Sequence, residues 1–245
     1  MNNGILRAMF NPDCRIHLVP IAGQLPCIVI DDFLLDPDAL VAYALQHRAG
    51  FAQASYHGFP GPELRMPDDF SAALDAFFMQ HIRARLGARR TTRMYSRLSL
   101  VSVPPEQLRP LQRVCHHDNY ASSPTQCFPA GLLYLFKNPQ QGGTSFYRPR
   151  QSEAETHALF DRWAPLSSAE FSRVIQRESG YQTDSNAYFE LLATVPAAYN
   201  RALFYDGGIF HNSHIAQPEL LSADPAAGRL TLNAFWECRK AAHAT

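Results

Sequence analysis

Neither sign of charge dominates this sequence. Lys plus Arg and Asp plus Glu stand at 22 each, and no run of like charges forms a block, so there is no electrostatic footprint for nucleic acid or an anionic membrane. No apolar run reaches the length needed to span a bilayer. The first residues, "MNNGILRAMFNPDCRIHLVPI", lack the apolar core and small-residue cleavage site of a signal peptide, which leads us to expect a cytoplasmic location. The five cysteines (Cys14, Cys27, Cys115, Cys127 and Cys238) contain no C-x-x-C pair, which argues against a disulfide framework or a zinc ribbon. Cys115 beside His116 raises the question of a thiol nucleophile, but a small buried apolar residue is the simpler reading. Repeats and low-complexity segments are also missing, and the 18 prolines are spread along the chain instead of marking a linker. The expected partner is a small molecule or a peptide, not nucleic acid or membrane.

What is present is the composition of an ordinary globular chain: 245 residues with 46% hydrophobic content suffice for a substantial core in a single domain over residues 1–245. "CIVIDDFLLDPDALVAYALQH" reads as a short strand, a turn at Asp31 and Asp32, and a helix with Asp36 as N-cap and Pro37 in its first position, ending near Gln46. "DDFSAALDAFFMQHIRARLG" carries Phe70, Leu74, Phe77, Phe78, His81, Ile82 and Leu86 at helical spacing and stops at Gly87; His81 reads as the edge of a core face. From Arg93 the period changes to two. "MYSRLSLVSV", "AGLLYLF", "GGTSFY", "RALFYD" and "RLTLNAFW" read as strands, with Gly142 and Gly143 as a hairpin turn needing positive φ.

These patterns predict an α+β fold: a strand and helical support region over 1–92, then a double-stranded β-helix (jelly-roll, cupin-like) core over 93–240, interrupted by a helical insertion at about 151–200. The last strand has two distinct faces. Leu230, Leu232, Ala234 and Trp236 lie on one, to be covered by the N-terminal helices; Arg229, Thr231, Asn233 and Phe235 lie on the other and point inward, where a ligand would be.

The chemistry concentrates in "VCHHDNY". In an extended segment residues i and i+2 project to one side, so His116 and Asp118 can share a metal while His117 points away. Two histidines and a carboxylate leave open positions on a divalent ion, the arrangement of non-haem Fe(II) oxygenases. The second histidine must come from "YDGGIFHNSHI": either His211, expected to end the strand that starts near Arg201, or His214, expected in the following loop. His211 is favoured because a strand holds a side chain more rigidly. "GRLTLNAFW" adds Arg229, a planar fork for the distal carboxylate of a dicarboxylate cosubstrate, and Thr231 on the same face as a further donor.

Taken in order, "HHD", "AGLLYLFKNPQQGGTSFYRPR", "NRALFYDGGIFHNSH" and "GRLTLNAFW" resemble the Fe(II)- and 2-oxoglutarate-dependent dioxygenases, in particular the prolyl-hydroxylase-like branch, over about residues 93–238. The resemblance implies an oxygenase, a hydroxylase of an unidentified small molecule, amino acid or peptide side chain. It implies iron held by His116, Asp118 and His211, 2-oxoglutarate held by Arg229 and Thr231, O2 as oxidant and stimulation by ascorbate. Some relatives place a tyrosine just before the first ligands; none stands there, and Tyr134 is the candidate to replace it. The gap from the second histidine to the arginine is longer than usual, which keeps His214 as a rival ligand. No protein general base is required, and no convincing acid–base pair occurs. The competing readings are a cupin-like isomerase, hydrolase or sensor, which leaves Arg229 with Thr231 unexplained, and a non-catalytic scaffold descended from such an enzyme, in which the ligands persist and no chemistry occurs.

Overall fold

The computed structural model describes residues 9–53, 58–118 and 123–241. The first part of the chain contributes β1 (Arg15–Val19), β2 (Cys27–Asp31), β3 (Ala52–Gln53), β4 (Pro62–Arg65) and β5 (Ala88–Val101). The remainder adds β6 (Gln126–Cys127), β7 (Pro129–Tyr134), β8 (Gly143–Pro149), β9 (Phe189–Val195), β10 (Ala202–Asp206), β11 (Phe210–His214) and β12 (Arg229–Lys240). The helices are α1 (Asp38–Gln46), α2 (Asp68–His81), α3 (Glu153–Trp163) and α4 (Ser168–Ile175). A large antiparallel sheet runs β1-β2-β10-β7-β12-β5-β4-β3, with β6 beside β12; a small one runs β11-β8-β9.

Alternation along the strands creates three apolar layers. Ile28, Ile30, Phe204, Leu230, Leu232 and Trp236 leave the large sheet on one side and pack against Leu40 and Ala44 of α1 and Phe70, Leu74 and Phe78 of α2. Trp236 stacks on Phe78 with ring centroids 4.2 Å apart, a contact worth about 1 kcal/mol beyond its buried area. Cys27, Val29, Ala130, Leu203 and Tyr205 leave the other side and meet Phe146 and Val195 of the small sheet. The outer face of the small sheet, with Tyr147, Phe189 and Phe210, is covered by Leu159 and Trp163 of α3 and Phe171 of α4. The order is therefore helices, large sheet, small sheet, helices, and β7 reads as an unbroken apolar run because both of its faces are covered.

Local signals place the helices. The Asp36 carboxylate accepts the Ala39 N–H at 3.2 Å and Pro37 is already helical, so α1 starts where the Asp-Pro pair directs. Gly87, at φ 68°, turns the chain out of the helical segment and straight into β5, which begins at Ala88 and not at Arg93 as the change of period suggests. His81 is an exposed ring against Phe77 at the end of α2.

Two expectations are corrected. Residues 151–200 are not purely a helical insertion: α3 and α4, each opened by a Ser/Glu capping box, are followed by β9, which pairs along β8 as an integral strand. The strand beginning near Arg201 does not run to His211. β10 ends at Asp206, the chain turns at Gly207 and Gly208, and β11 continues in the other sheet, carrying both His211 and His214.

Candidate metal centre and anion pocket

The segment after Cys115 runs extended beside β11. His116 N–H donates to the His211 carbonyl at 3.0 Å and His211 N–H donates back to the His116 carbonyl at 2.7 Å, while Asp118 N–H donates to Gly207 at 2.7 Å. This pairing brings His116, Asp118 and His211 together, with one potential donor atom from each lying within 4.8 Å of the others. Asp118 Oδ1 is 3.7 Å from His116 Nε2, and Oδ2 is 3.4 Å from His211 Nε2.

The electrostatics are those of a cation site. Asp118 Oδ2 is buried and accepts no hydrogen bond among the described residues, an arrangement that costs about 1–3 kcal/mol or more unless a cation compensates it. Burial raises the Asp118 carboxyl and lowers both His116 and His211 to about 4, so both imidazoles are neutral near pH 7 and offer lone pairs. Half of the His116 side chain is accessible, but the surface it keeps opens into a cavity walled by protein, consistent with the depressed value. His211 Nδ1 lies 2.8 Å from the Ile209 carbonyl, which can only accept; the proton therefore sits on Nδ1 and the Nε2 lone pair faces the carboxylate.

His214 is not in this cluster. Residues 211 and 214 are an odd number apart in one strand and project to opposite faces, and His214 Nδ1 bonds Ser145 Oγ at 2.8 Å. His117 points away from the cluster, against Phe210 and His157. Cys115 is fully buried in the apolar layer beneath α3 and α4, and burial pushes its thiol well up, which leaves it inert.

The triad opens into a cavity of about 980 Å³ between the two sheets. Arg229 lies on its wall, 1% exposed, and no carboxylate pairs with it among the described residues. Its Nε and Nη2 donate to the carbonyls of Gly142 (3.1 Å) and Gly143 (2.8 Å), and the guanidinium lies over the rings of Tyr134 and Phe136. The expected hairpin turn is not found there: β7 and β8 lie in different sheets, and of the two glycines only Gly142 has a positive φ. Gly142 has φ 100°, and a Cβ on either residue would collide with a backbone carbonyl at 2.1 Å, so the paired glycines allow the chain close enough to fix the arginine.

Thr231 lines the cavity, fully buried. Tyr134 stands one layer behind: its hydroxyl is 2.8 Å from Thr144 Oγ1, and it is Thr144 that reaches the cavity. Tyr205 and Tyr181 also line it, and sequence reasoning missed Thr144, Tyr205 and Tyr181 alike. The Tyr205 ring packs on His211 at 4.8 Å, and its phenol feels both the Asp118 carboxylate and the Arg229 guanidinium. The segment "NYASSPTQCF", which follows the His116 and Asp118 pair, lies partly outside the described residues, at 119–122.

A family model described as "Family of unknown function (DUF6445)" matches residues 12–236. No curated protein matches. Among solved structures, a Pseudomonas putida prolyl-4-hydroxylase is 16% identical at a TM-score of 0.47, covering 90% of this chain and 95% of that one. SnoK, a non-heme alpha ketoglutarate dependent carbocyclase from nogalamycin biosynthesis, is 14% identical at a TM-score of 0.47, covering 88% and 80%. HygX from Streptomyces hygroscopicus, solved with nickel and 2-oxoglutarate bound, is 12% identical at a TM-score of 0.43, covering 87% and 82%.

Proposed function

The chain belongs to the DUF6445 family, and we propose that it is an iron(II)- and 2-oxoglutarate-dependent oxygenase built on a double-stranded β-helix, hydroxylating a small molecule or a peptide side chain. The observation that carries this reading is that one cavity contains both a His116, Asp118 and His211 donor set and a buried guanidinium without a carboxylate partner among the described residues. Two imidazoles and a carboxylate suit a divalent ion of the iron class and leave coordination positions for other ligands. Arg229 supplies the counter-charge for an organic acid, and its donors are arranged in the planar fork that a carboxylate matches.

In this reading His116, Asp118 and His211 hold the iron, and Arg229, helped by Thr231 and Thr144, holds the distal carboxylate of 2-oxoglutarate. When bound, iron and 2-oxoglutarate supply the oxidising chemistry with O2, and ascorbate keeps the iron ferrous. The chain's own contribution is positioning: the His116–His211 backbone bridge fixes two ligands, the Ile209 carbonyl fixes a tautomer, and the Tyr205 and Phe146 rings wall off water. A cupin-like metal protein without an organic-acid cosubstrate would leave Arg229 buried with no anion, which disfavours it.

The test is anaerobic binding followed by turnover. Purified protein should bind Fe(II), then 2-oxoglutarate, and release succinate in the presence of O2 and ascorbate. Arg229→Gln should weaken 2-oxoglutarate roughly 100-fold, within the range for removing one partner of a buried charge pair, and leave iron binding near wild type. Wild-type 2-oxoglutarate affinity in that variant, or a folded protein that takes up no iron, overturns the reading.

A further inference from the structure

The cavity-facing residues of β12 form a depth scale. From the inside outward they are Arg229 and Thr231, 1% and 0% exposed, then Asn233 at 8%, then the half-buried Phe235 and Glu237. Cosubstrate chemistry accounts for the first two. Asn233 lies one step closer to the mouth, opposite Arg97 of β5 and Leu132 of β7. Its side chain lines the cavity and makes no hydrogen bond among the described residues, although the residue is more than nine-tenths buried. Its amide atoms are not among the inaccessible unbonded ones, so they stay open to the cavity and bond what enters it, water until a ligand displaces it.

The surroundings of Asn233 narrow what that is. The next row outward is a stacked aromatic pair, Tyr95 and Phe235, with ring centroids 5.2 Å apart. The Arg97 guanidinium lies 4.6 Å over the Phe235 ring, is held from behind by Glu63 at 3.0 Å, and is close enough for its charge to be felt at His116 and Asp118. Arg65 and Arg93 also line the cavity; each of the three arginines is paired with a carboxylate, and of these partners only Glu237 is itself a lining residue. The outer half of the cavity thus presents to a ligand three arginines whose carboxylate partners, Glu237 apart, do not line it, an aromatic pair overlain by Arg93 and Arg97, and one carboxamide with both a donor and an acceptor to fill.

We propose that Asn233 is a specificity-determining residue and that the substrate is a free α-amino acid or the C-terminal residue of a peptide. Its N–H is accepted by Asn233 Oδ1, its carboxylate accepts from Nδ2 in the field of Arg97, and its side chain lies on Tyr95 and Phe235. A carboxamide matches this pair because the nitrogen and the carboxylate of one residue present a donor and an acceptor side by side. A simple acid or a simple amine leaves one half of Asn233 unbonded. The inference deepens the oxygenase reading and rests on it for the assignment of Arg229 to the cosubstrate.

The test uses protein loaded with Ni(II), which holds the metal site without turnover, and saturated with 2-oxoglutarate so that Arg229 is occupied. Probes are the twenty common L-amino acids, their N-acetyl derivatives as mimics of a peptide C-terminus, and the corresponding carboxamides, with binding read by calorimetry. The expected result is that some free-carboxylate probes bind and their carboxamides bind at least about tenfold more weakly. Asn233→Ala should remove at least about tenfold of the affinity of the preferred probe while Ni(II) and 2-oxoglutarate affinities stay unchanged. Because Arg97→Gln alone strands Glu63, the charge is tested in the double variant Arg97→Gln, Glu63→Gln, which should equalise carboxylate and carboxamide.

Equal binding of acid and amide, an Asn233→Ala variant that binds as wild type, or no probe bound by a protein that takes up Ni(II) and 2-oxoglutarate normally overturns this inference and leaves the oxygenase reading intact. Failure to bind Ni(II) and 2-oxoglutarate sinks the oxygenase reading instead. The same titrations on ligand-free protein then decide the inference: an Asn233-dependent preference for free carboxylates sustains it, and its absence overturns it.

Discussion

His116 and His211 exchange backbone hydrogen bonds in both directions, at 3.0 and 2.7 Å, so two potential metal ligands remote in sequence face each other as a cross-strand pair with ring centroids 4.6 Å apart. The scaffold of the site is therefore main chain, and the side chains can be changed without dismantling it. Asp118 is the member with the most to gain from a cation, since one of its oxygens is buried without a hydrogen bond.

Asp118→Asn should separate binding from folding. The charge that completes the donor set is lost, and divalent-metal affinity should fall at least about 100-fold, beyond the 10- to 100-fold typical of disturbing residues that only support ligands. The metal-free protein should be no less stable than wild type, because a buried carboxylate has been replaced by a neutral amide. Metal titration and a urea melt of the apo protein check the two halves; wild-type metal affinity would remove Asp118 from the site.

Gly207 accepts the Asp118 N–H, and the space for a side chain on it is already taken: a Cβ would lie 2.4 Å from the Phe128 carbonyl and 3.1 Å from the Asp118 Cβ. Gly207→Ala has to move one of these neighbours, and the expected cost is about 1–3 kcal/mol of stability together with weaker metal binding. Gly208, where the nearest atom is the end of the Asp206 side chain at 3.2 Å, should tolerate alanine better. Parallel melts and metal titrations of the two variants give the comparison, and equal behaviour would contradict the close-approach argument.

The sequence carried the faces of β12 clearly, because period-two alternation decides which side a residue takes. Trp236 meets Phe78 and Arg229 meets the cavity as that alternation requires. It carried the same-side placement of His116 and Asp118 for the same reason. Partnership was not legible. Nothing local to His211 says that it pairs with His116, and nothing in "FELLATV" says that it pairs along β8, because strand pairing is decided by distant chain segments. His214, the rival ligand expected in a loop, lies in β11 with His211, and parity in the strand is what turns it away. Tyr134, expected as a cosubstrate contact by residue type, has its hydroxyl 2.8 Å from Thr144 Oγ1, and it is Thr144 that lines the cavity. The isolation of Asn233 is a property of packing, invisible before the neighbouring strands are placed.

The seam between β2 and β10 carries a pH-dependent clasp. Arg201 Nε and Nη2 reach the two oxygens of Asp31 at 2.6 and 3.2 Å, both side chains are less than one-fifth exposed, and these hydrogen bonds hold the Asp31 carboxyl below its ordinary value. A group whose folded pKa is depressed contributes stability above its unfolded pKa, here 3.8, and loses that contribution as pH falls through the folded value. Urea midpoints measured from pH 6 down to pH 2 should show wild type losing about 1–2 kcal/mol more than Asp31→Asn on acidification. Parallel profiles for the two proteins would show that the clasp contributes nothing.

Arg113 cross-links both ends of α4. Its Nη1 donates to the carbonyl and hydroxyl of Ser168, at the start of the helix, and its Nη2 donates to the carbonyls of Arg177 and Glu178, just beyond the end, while the guanidinium lies 5.0 Å over the Phe171 ring. The charge is 2% exposed and held by carbonyls and a hydroxyl rather than by an acid, with Nε left without a hydrogen bond among the described residues. Arg113→Met keeps the apolar stem and strands those acceptors, so α4 should loosen and the fold lose about 3 kcal/mol or more. Hydrogen exchange should rise over residues 168–178 before it rises in the sheets. Metal affinity should change less than about tenfold, because His116 is held by the reciprocal bond to His211 and not by α4. A variant that loses its metal as completely as Asp118→Asn, with exchange in α4 unchanged, would show that Arg113 acts on the ligand strand and not on the helix.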